Sequence, residues 1–388
     1  MSLSPASIAD VNARADLGAL AQEFGATLRR SPRGLVGACP LCGGGKRATR
    51  FEIKGAAWMC AVCAQGGDAI ALVRACTGRD FRGAVEFLGG ARALSPDEER
   101  RLEDKRRREE ARREALAEGY RAKEIAAARR IWEGDRPTLC DPASLDAYLG
   151  ARGVARPRSA QLRLAADLPY FHGETVDEHG RAEPILLWRG PAMIAAATDS
   201  GGVFRAAHIT WLSPDCRAKL TLADPESGEI LPAKKVRGAK QGAKIVLRDG
   251  GATPRRLFLG EGIETVLSVA TALRRAGRLG RADAFWSSVD LGNLGGPHEG
   301  TVAHPEAKSA AGRALRVPSD IPAEGPAIVI PDSVEELVLL GDGDSDPFLT
   351  GMTLRRGARR YARPGRVVRI AMAPSGADFN DVLRGDAA

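Results

Sequence analysis

Two short runs, Cys39-Pro40-Leu41-Cys42 and Cys60-Ala61-Val62-Cys63, stand seventeen residues apart near the start of this 388-residue chain. A C-x2-C turn sets two thiolates around one point, and two such turns at this separation match the ligand pattern of tetrahedral zinc. The stretch between them, with TRFEI and AAWMC, is long enough for two strands that bring the turns together. A unit this small draws much of its folding energy from the metal. Cys39, Cys42, Cys60 and Cys63 fill all four positions, so the Zn²⁺ site is expected to be closed and structural. A redox reading suits either pair alone but leaves the other unexplained. Cys76, Cys140 and Cys216 are scattered, which argues against a disulfide framework and for buried or unreactive thiols in a reducing compartment.

Net charge is +8 and the pI about 9.3, a balance that suits a polyanionic partner. No run of about 18 apolar residues is present and the N-terminus lacks a signal-peptide pattern, so a cytoplasmic protein without a membrane span is expected.

The texture of the chain divides it into four segments, and the expected fold class is multidomain α+β. Residues 1–92 form the zinc ribbon, with DAIALVRACTGRDFRGAVEFLGG giving two short helices broken at Gly78. Residues 93–136 alternate acidic and basic side chains with few apolar anchors; Ser95 and Glu98 make a capping box with Pro96 at the first helical position, and a solvated helical linker follows. Residues 137–255 carry strand-like runs (ILLWRG, AMIAAATDSGG, RAAHITWL, KIVLRDG) and end in a basic stretch holding Lys234, Lys235, Arg237, Lys240 and Lys244. Residues 256–388 read as a Rossmann-like α/β domain: strand RRLFLG, helix GIETVLSVATALRRAG, strand VEELVLLGD and strand RVVRIAMAP. The stretch between Gly292 and Pro326 reads as an excursion between strands.

Glu261 follows the first of these strands, and Asp342 and Asp344 follow the next. Residues just past the carboxyl ends of parallel strands meet in one crevice. Three carboxylates there call for a neutralising divalent cation, and an oxygen donor set favours Mg²⁺ or Mn²⁺.

The cysteine segment resembles the zinc-binding domain of bacterial and phage DNA primases, through Cys39-Pro40-Leu41-Cys42, Phe51-Glu52-Ile53, Trp58-Met59-Cys60-Ala61-Val62-Cys63 and Gly66-Gly67-Asp68. That family usually has a histidine where this chain has Cys42. Glu261-Gly262 and Asp342-Gly343-Asp344 resemble the Toprim domain shared by primases, topoisomerases and some nucleases. APSGADFNDVL is similar to the ending of Toprim domains in phage and plasmid primase-like proteins, which adds Asp378 and Asp381 as magnesium candidates. The middle segment resembles, more loosely, the region that precedes Toprim in mobile-element primases.

These resemblances imply a primase: a DNA-directed nucleotidyltransferase making short RNA primers on a single-stranded DNA template from nucleoside triphosphates, for replication of a phage or mobile element. Glu261, Asp342 and Asp344 would be its catalytic metal ligands, the zinc ribbon its template sensor, and the five basic residues its nucleic-acid or nucleotide contacts. No GxxxxGK[ST] loop occurs, so a separate replicative helicase is expected as partner. A Toprim-type nuclease and a non-catalytic DNA-binding replication accessory are the alternatives. His208 is expected to be a packed strand histidine.

Overall fold

A computed structural model of the chain describes residues 5–31, 34–43, 50–89, 96–134, 142–309 and 312–386. The chain forms two compact units, Met1–Glu114 and Ala115–Ala388. The division falls inside one long helix.

In the first unit, helices α1 (Pro5–Arg14) and α2 (Leu17–Glu23) precede five antiparallel strands in chain order: β1 (Leu28–Ser31), β2 (Gly34–Gly37), β3 (Phe51–Lys54), β4 (Ala57–Cys60) and β5 (Gln65–Gly67). Helices α3 (Ala69–Thr77) and α4 (Phe81–Phe87) follow, with Gly78 in the left-handed region ending α3, as the sequence implies. Strand alternation puts Phe51, Ile53, Trp58 and Cys60 on one face, where they are buried against Leu20, Leu72 and Val73. Asp68 caps α3 through the Ala71 N–H and accepts from Asn12 Nδ2 at 2.7 Å, fastening α1 to α3. Helix α5 (Pro96–Glu133) is exposed over most of its length. Ser95 and Cys140 lie outside the described residues.

The second unit is built on one nine-stranded sheet. Helix α6 (Pro142–Ala151) leads into β6 (Leu162–Val176), β7 (Ala182–Thr198) and β8 (Phe204–Trp211), then short β9 (Leu222–Ala223) and β10 (Ile230–Leu231), then β11 (Lys234–Gly238) and β12 (Lys244–Arg248). Two of the expected strand runs, ILLWRG and AMIAAAT, are a single strand, β7, which passes through Pro191 with register shifts against β6. The α/β part follows with β13 (Arg256–Gly260), α7 (Ile263–Arg275), β14 (Asp283–Ser287), α8 (Leu291–Gly295), the hairpin β15 (Thr301–Lys308) and β16 (Ala314–Pro318), β17 (Glu336–Gly341), α9 (Pro347–Tyr361), β18 (Val367–Met372) and α10 (Phe379–Arg384).

Strands β14, β13, β17 and β18 lie side by side and parallel, so in chain order the set runs second, first, third, fourth. Strand β12 pairs with both β7 and β14 and joins the antiparallel strands to the parallel ones. The position 255 boundary therefore falls inside a continuous sheet. One face buries Phe258, Ile245 and Met193 against Tyr148, Ile263 and Leu267 of α6 and α7. The other buries Leu257, Leu259 and Trp286 against Leu294, Leu354 and Tyr361 of α8 and α9, and further along takes Ala128 of α5. Fully buried Arg356 donates to the carbonyls of Gly296 and Ser319, and Arg360 to those of Gly295, Pro297 and Ala323, which anchors the excursion to α9. Among the described residues no helix is long and apolar enough to cross a membrane.

Candidate functional site

In the first unit, Cys39, Cys42, Cys60 and Cys63 bring their sulfur atoms within 4.8 Å of one another, the one such ligand group among the described residues. Cys39 and Cys63 Sγ are 3.9 Å apart, and Cys42 and Cys60 Sγ 3.7 Å. A tetrahedron with Zn–S bonds of about 2.3 Å has edges of about 3.8 Å, so the cage has the right size for zinc. Each turn closes on a residue with positive φ, Gly43 at 66° and Ala64 at 55°; the second costs about 1 kcal/mol in a residue with a Cβ. Main-chain N–H groups of Leu41 and Val62 point at the Cys39 and Cys60 sulfurs, each at 3.4 Å. Burial pushes the Cys39 thiol up to about 12. Burial also acts on Cys60, but N–H donors from Cys63 and Val62 outweigh it and hold that thiol at about 7.

In the second unit, Glu261 and Asp342 lie just past the carboxyl ends of neighbouring strands, β13 and β17, where Gly260 stands opposite Leu340. Strand order reverses here, which is where open parallel sheets form their ligand crevice. Helix α7 starts two residues after Glu261, so its positive end faces the crevice. Thr265, in its first turn, donates to Asp342 at 2.9 Å.

The loop after β17 is zipped to the loop before α10. The Gly343 N–H donates to Ala377 O at 2.9 Å and the Gly376 N–H to Gly343 O at 2.8 Å. A Cβ on Gly343 would sit 2.0 Å from Pro374 O, so only glycine allows this approach. The zipper brings Asp378 toward Asp342. Burial, with Asp378 and Asp344 adding to it, pushes the Asp342 carboxyl up to about 6 against the hydrogen bond from Thr265. Burial also raises Glu261, reinforced by Asp342 and Asp290 and opposed by Lys234. Asp344 is exposed. Asp378 and Asp381 form a capping box on α10, so the Asp381 carboxylate is turned to the Asp378 N–H.

The five basic residues do not form one patch. Lys234 faces α6 and α7, 3.4 Å from Glu264, whereas Lys235, one residue on, points to the opposite face of β11. There its ammonium sits 3.8 Å from the Tyr170 ring centroid and bonds Phe171 O. Lys244 is buried over Trp286 and bonds Asp199 O. Arg237 is exposed, and Lys240 is paired with Asp290.

Sequence reading gave no role to Glu264, Lys219, Asp290 or Asn380 around this crevice. Glu264 is buried and accepts from Tyr148 Oη at 2.7 Å, with Lys219 at 3.5 Å and Lys234 at 3.4 Å. Burial alone would raise Glu264, but the two ammoniums and the Tyr148 hydroxyl hold it well below the usual carboxylate range. Asp290 stands near Glu261. Asn380, fully buried, donates to Arg152 O at 2.7 Å and Ser268 Oγ at 3.0 Å, which seats α10 on α7. The one sequence signal was position: Glu264 lies three residues after Glu261, in the first turn of the helix that follows it. His208 is a buried strand residue as expected, and burial first, then the Lys234 charge, depress it to about 4.

Residues 122–247 match a family model described as Domain of unknown function (DUF7146). Curated proteins returned no match. Among solved structures, the Aquifex aeolicus primase (zinc-binding and RNA polymerase domains) is similar at 14% identity and a TM-score of 0.37, over 99% of this chain and 83% of that one. A DNA primase domain from Pseudomonas aeruginosa is similar at 14% identity and a TM-score of 0.35, over 68% and 75%. The primase fragment of the bacteriophage T7 primase-helicase protein is similar at 14% identity and a TM-score of 0.32, over 64% and 79%.

Proposed function

We propose that this chain is a primase-like nucleotidyltransferase, making short RNA primers on single-stranded DNA for a phage or mobile element, with a separate helicase as partner. The observation that carries this reading is the meeting of Glu261 and Asp342 at the strand-order reversal, with Asp344 and Asp378 around them. Among the described residues no three of these carboxylates bring oxygens within 4.8 Å of one another as the cysteines do their sulfurs. Oxygen donors are nonetheless what a divalent cation takes, and the repulsion between Asp342 and Glu261 is what such an ion would relieve. Glu261, Asp342 and Asp344 would hold Mg²⁺ or Mn²⁺, which when bound supplies charge neutralisation for phosphoryl transfer.

The chain's own residues do the rest. Lys219 and Lys234 bring two positive charges to the crevice, each about a third exposed, and attract a nucleoside triphosphate. Glu264, gripped by Tyr148, keeps both ammoniums in place rather than reacting. Arg237, exposed on the edge strand β11, would meet a template phosphate. Cys39, Cys42, Cys60 and Cys63 hold Zn²⁺ and shape the ribbon that reads the template.

The test is primer synthesis on single-stranded DNA with nucleoside triphosphates and Mg²⁺, comparing wild type with Asp342→Ala. Labelled RNA oligomers from wild type alone are expected. Cleavage of the template without synthesis would replace this reading with a nuclease. Full activity in Asp342→Ala would remove the carboxylates from the chemistry.

A further inference from the structure

The end of the sheet away from the carboxylates, by the amino ends of the parallel strands, carries a second concave site. Helix α7 spans thirteen residues, about 20 Å, between Glu261 at one end and Arg274 in its last turn. Beside Arg274 the loop 155–159 and the end of β12 close a pocket of about 360 Å³. Four arginines from three parts of the chain line it: Arg156, Arg158, Arg248 and Arg274. One carboxylate, Asp249, also lines it and accepts from the Gly251 N–H. The floor is apolar or neutral, with Pro157, Ala270 and Leu279.

The arginines divide into two kinds. Arg156 is held by Asp146 at 2.9 and 3.2 Å, and Arg248 donates to the carbonyls of Gly280, Asp283 and Arg281, so both are fixed in place. Arg158 and Arg274 are exposed, and among the described residues neither has a hydrogen-bond or ion-pair partner. Two rigid guanidiniums flanked by two with open donors, around an apolar floor, suit a planar base or sugar with a phosphate: Arg forks bind phosphate oxygens in pairs, and the volume lies within the usual ligand range.

We propose that this pocket is a second phosphate-binding site, which takes a nucleoside phosphate either free or at the end of a strand. It does not depend on the carboxylate reading, since none of its residues touches that crevice.

The experiment measures fluorescence polarisation of two probes, a labelled ribonucleoside diphosphate and a labelled 5′-phosphorylated trinucleotide. The full chain keeps Glu261, Asp342 and Asp344 and is measured without added Mg²⁺, so that the unneutralised carboxylates repel phosphate from the crevice and it contributes little. Adding Arg158→Gln and Arg274→Gln is expected to weaken binding at least tenfold with the melting temperature unchanged. Ser159→Trp, which fills the mouth without altering charge, is expected to do the same. Loss for the diphosphate identifies a free nucleotide as occupant, and loss for the trinucleotide alone identifies a strand end. Binding of both probes within twofold of the parent in both variants overturns the proposal.

Discussion

Replacing Glu264 by Gln keeps the shape and the acceptor for Tyr148 but removes the carboxylate charge that contacts both Lys219 and Lys234. The carboxylate is buried, with 4% of its side chain exposed, while the lysines are 36% and 37% exposed. Breaking a fully buried pair costs about 3–5 kcal/mol; with both cations partly hydrated, about 2–3 kcal/mol is the better scale here. For a unit of this size that lowers the melting temperature by about 3–5 °C. The assay is calorimetry at neutral pH on wild type, Glu264→Gln, Lys219→Gln and the double variant. Coupling predicts that the double variant loses at least about 1 kcal/mol less than the sum of the singles. The pH dependence has a definite sign. Glu264 titrates lower in the folded state, so its stabilisation is present above the unfolded carboxylate range and is lost as pH falls below it. Additive singles, or a Glu264→Gln melting temperature within 1 °C or so of wild type, would falsify the picture of a buried charge hub.

The other expectations are shorter. His208 is depressed to about 4, so between its unfolded value and pH 4 the unfolded chain binds the extra proton; stability falls there by up to about 3 kcal/mol, and His208→Gln should flatten that limb of a pH–denaturation series. Zinc removal by a chelator should unfold the first unit and leave the second unit's transition in place; metal analysis should give one zinc per chain, and Cys60→Ser should abolish it. Asp342→Asn should raise the second unit's melting temperature by relieving repulsion with Asp378 and Asp344 while ending primer synthesis, a split that a simple structural residue would not give.

The cysteine spacing was legible because a metal cage is a local problem: four sulfurs and two turns specify it, and the sulfur separations agree with the expectation. The strands and helix around Glu261 and the Asp342 loop were legible too, since apolar runs and periodicity report burial residue by residue. The basic stretch was not. Neighbours in sequence look like one patch, but a strand sends alternate side chains to opposite faces, so Lys234 joins the crevice while Lys235 sits over the Tyr170 ring and Lys244 enters the core. Glu264 was invisible as a hub because its partners, Tyr148 and Lys219, lie 116 and 45 residues away along the chain. Sequence alone determined which elements form and which residue types could hold metal. Only the tertiary structure decided which carboxylates and lysines share a space, because that depends on strand order and on which face of the sheet each residue takes.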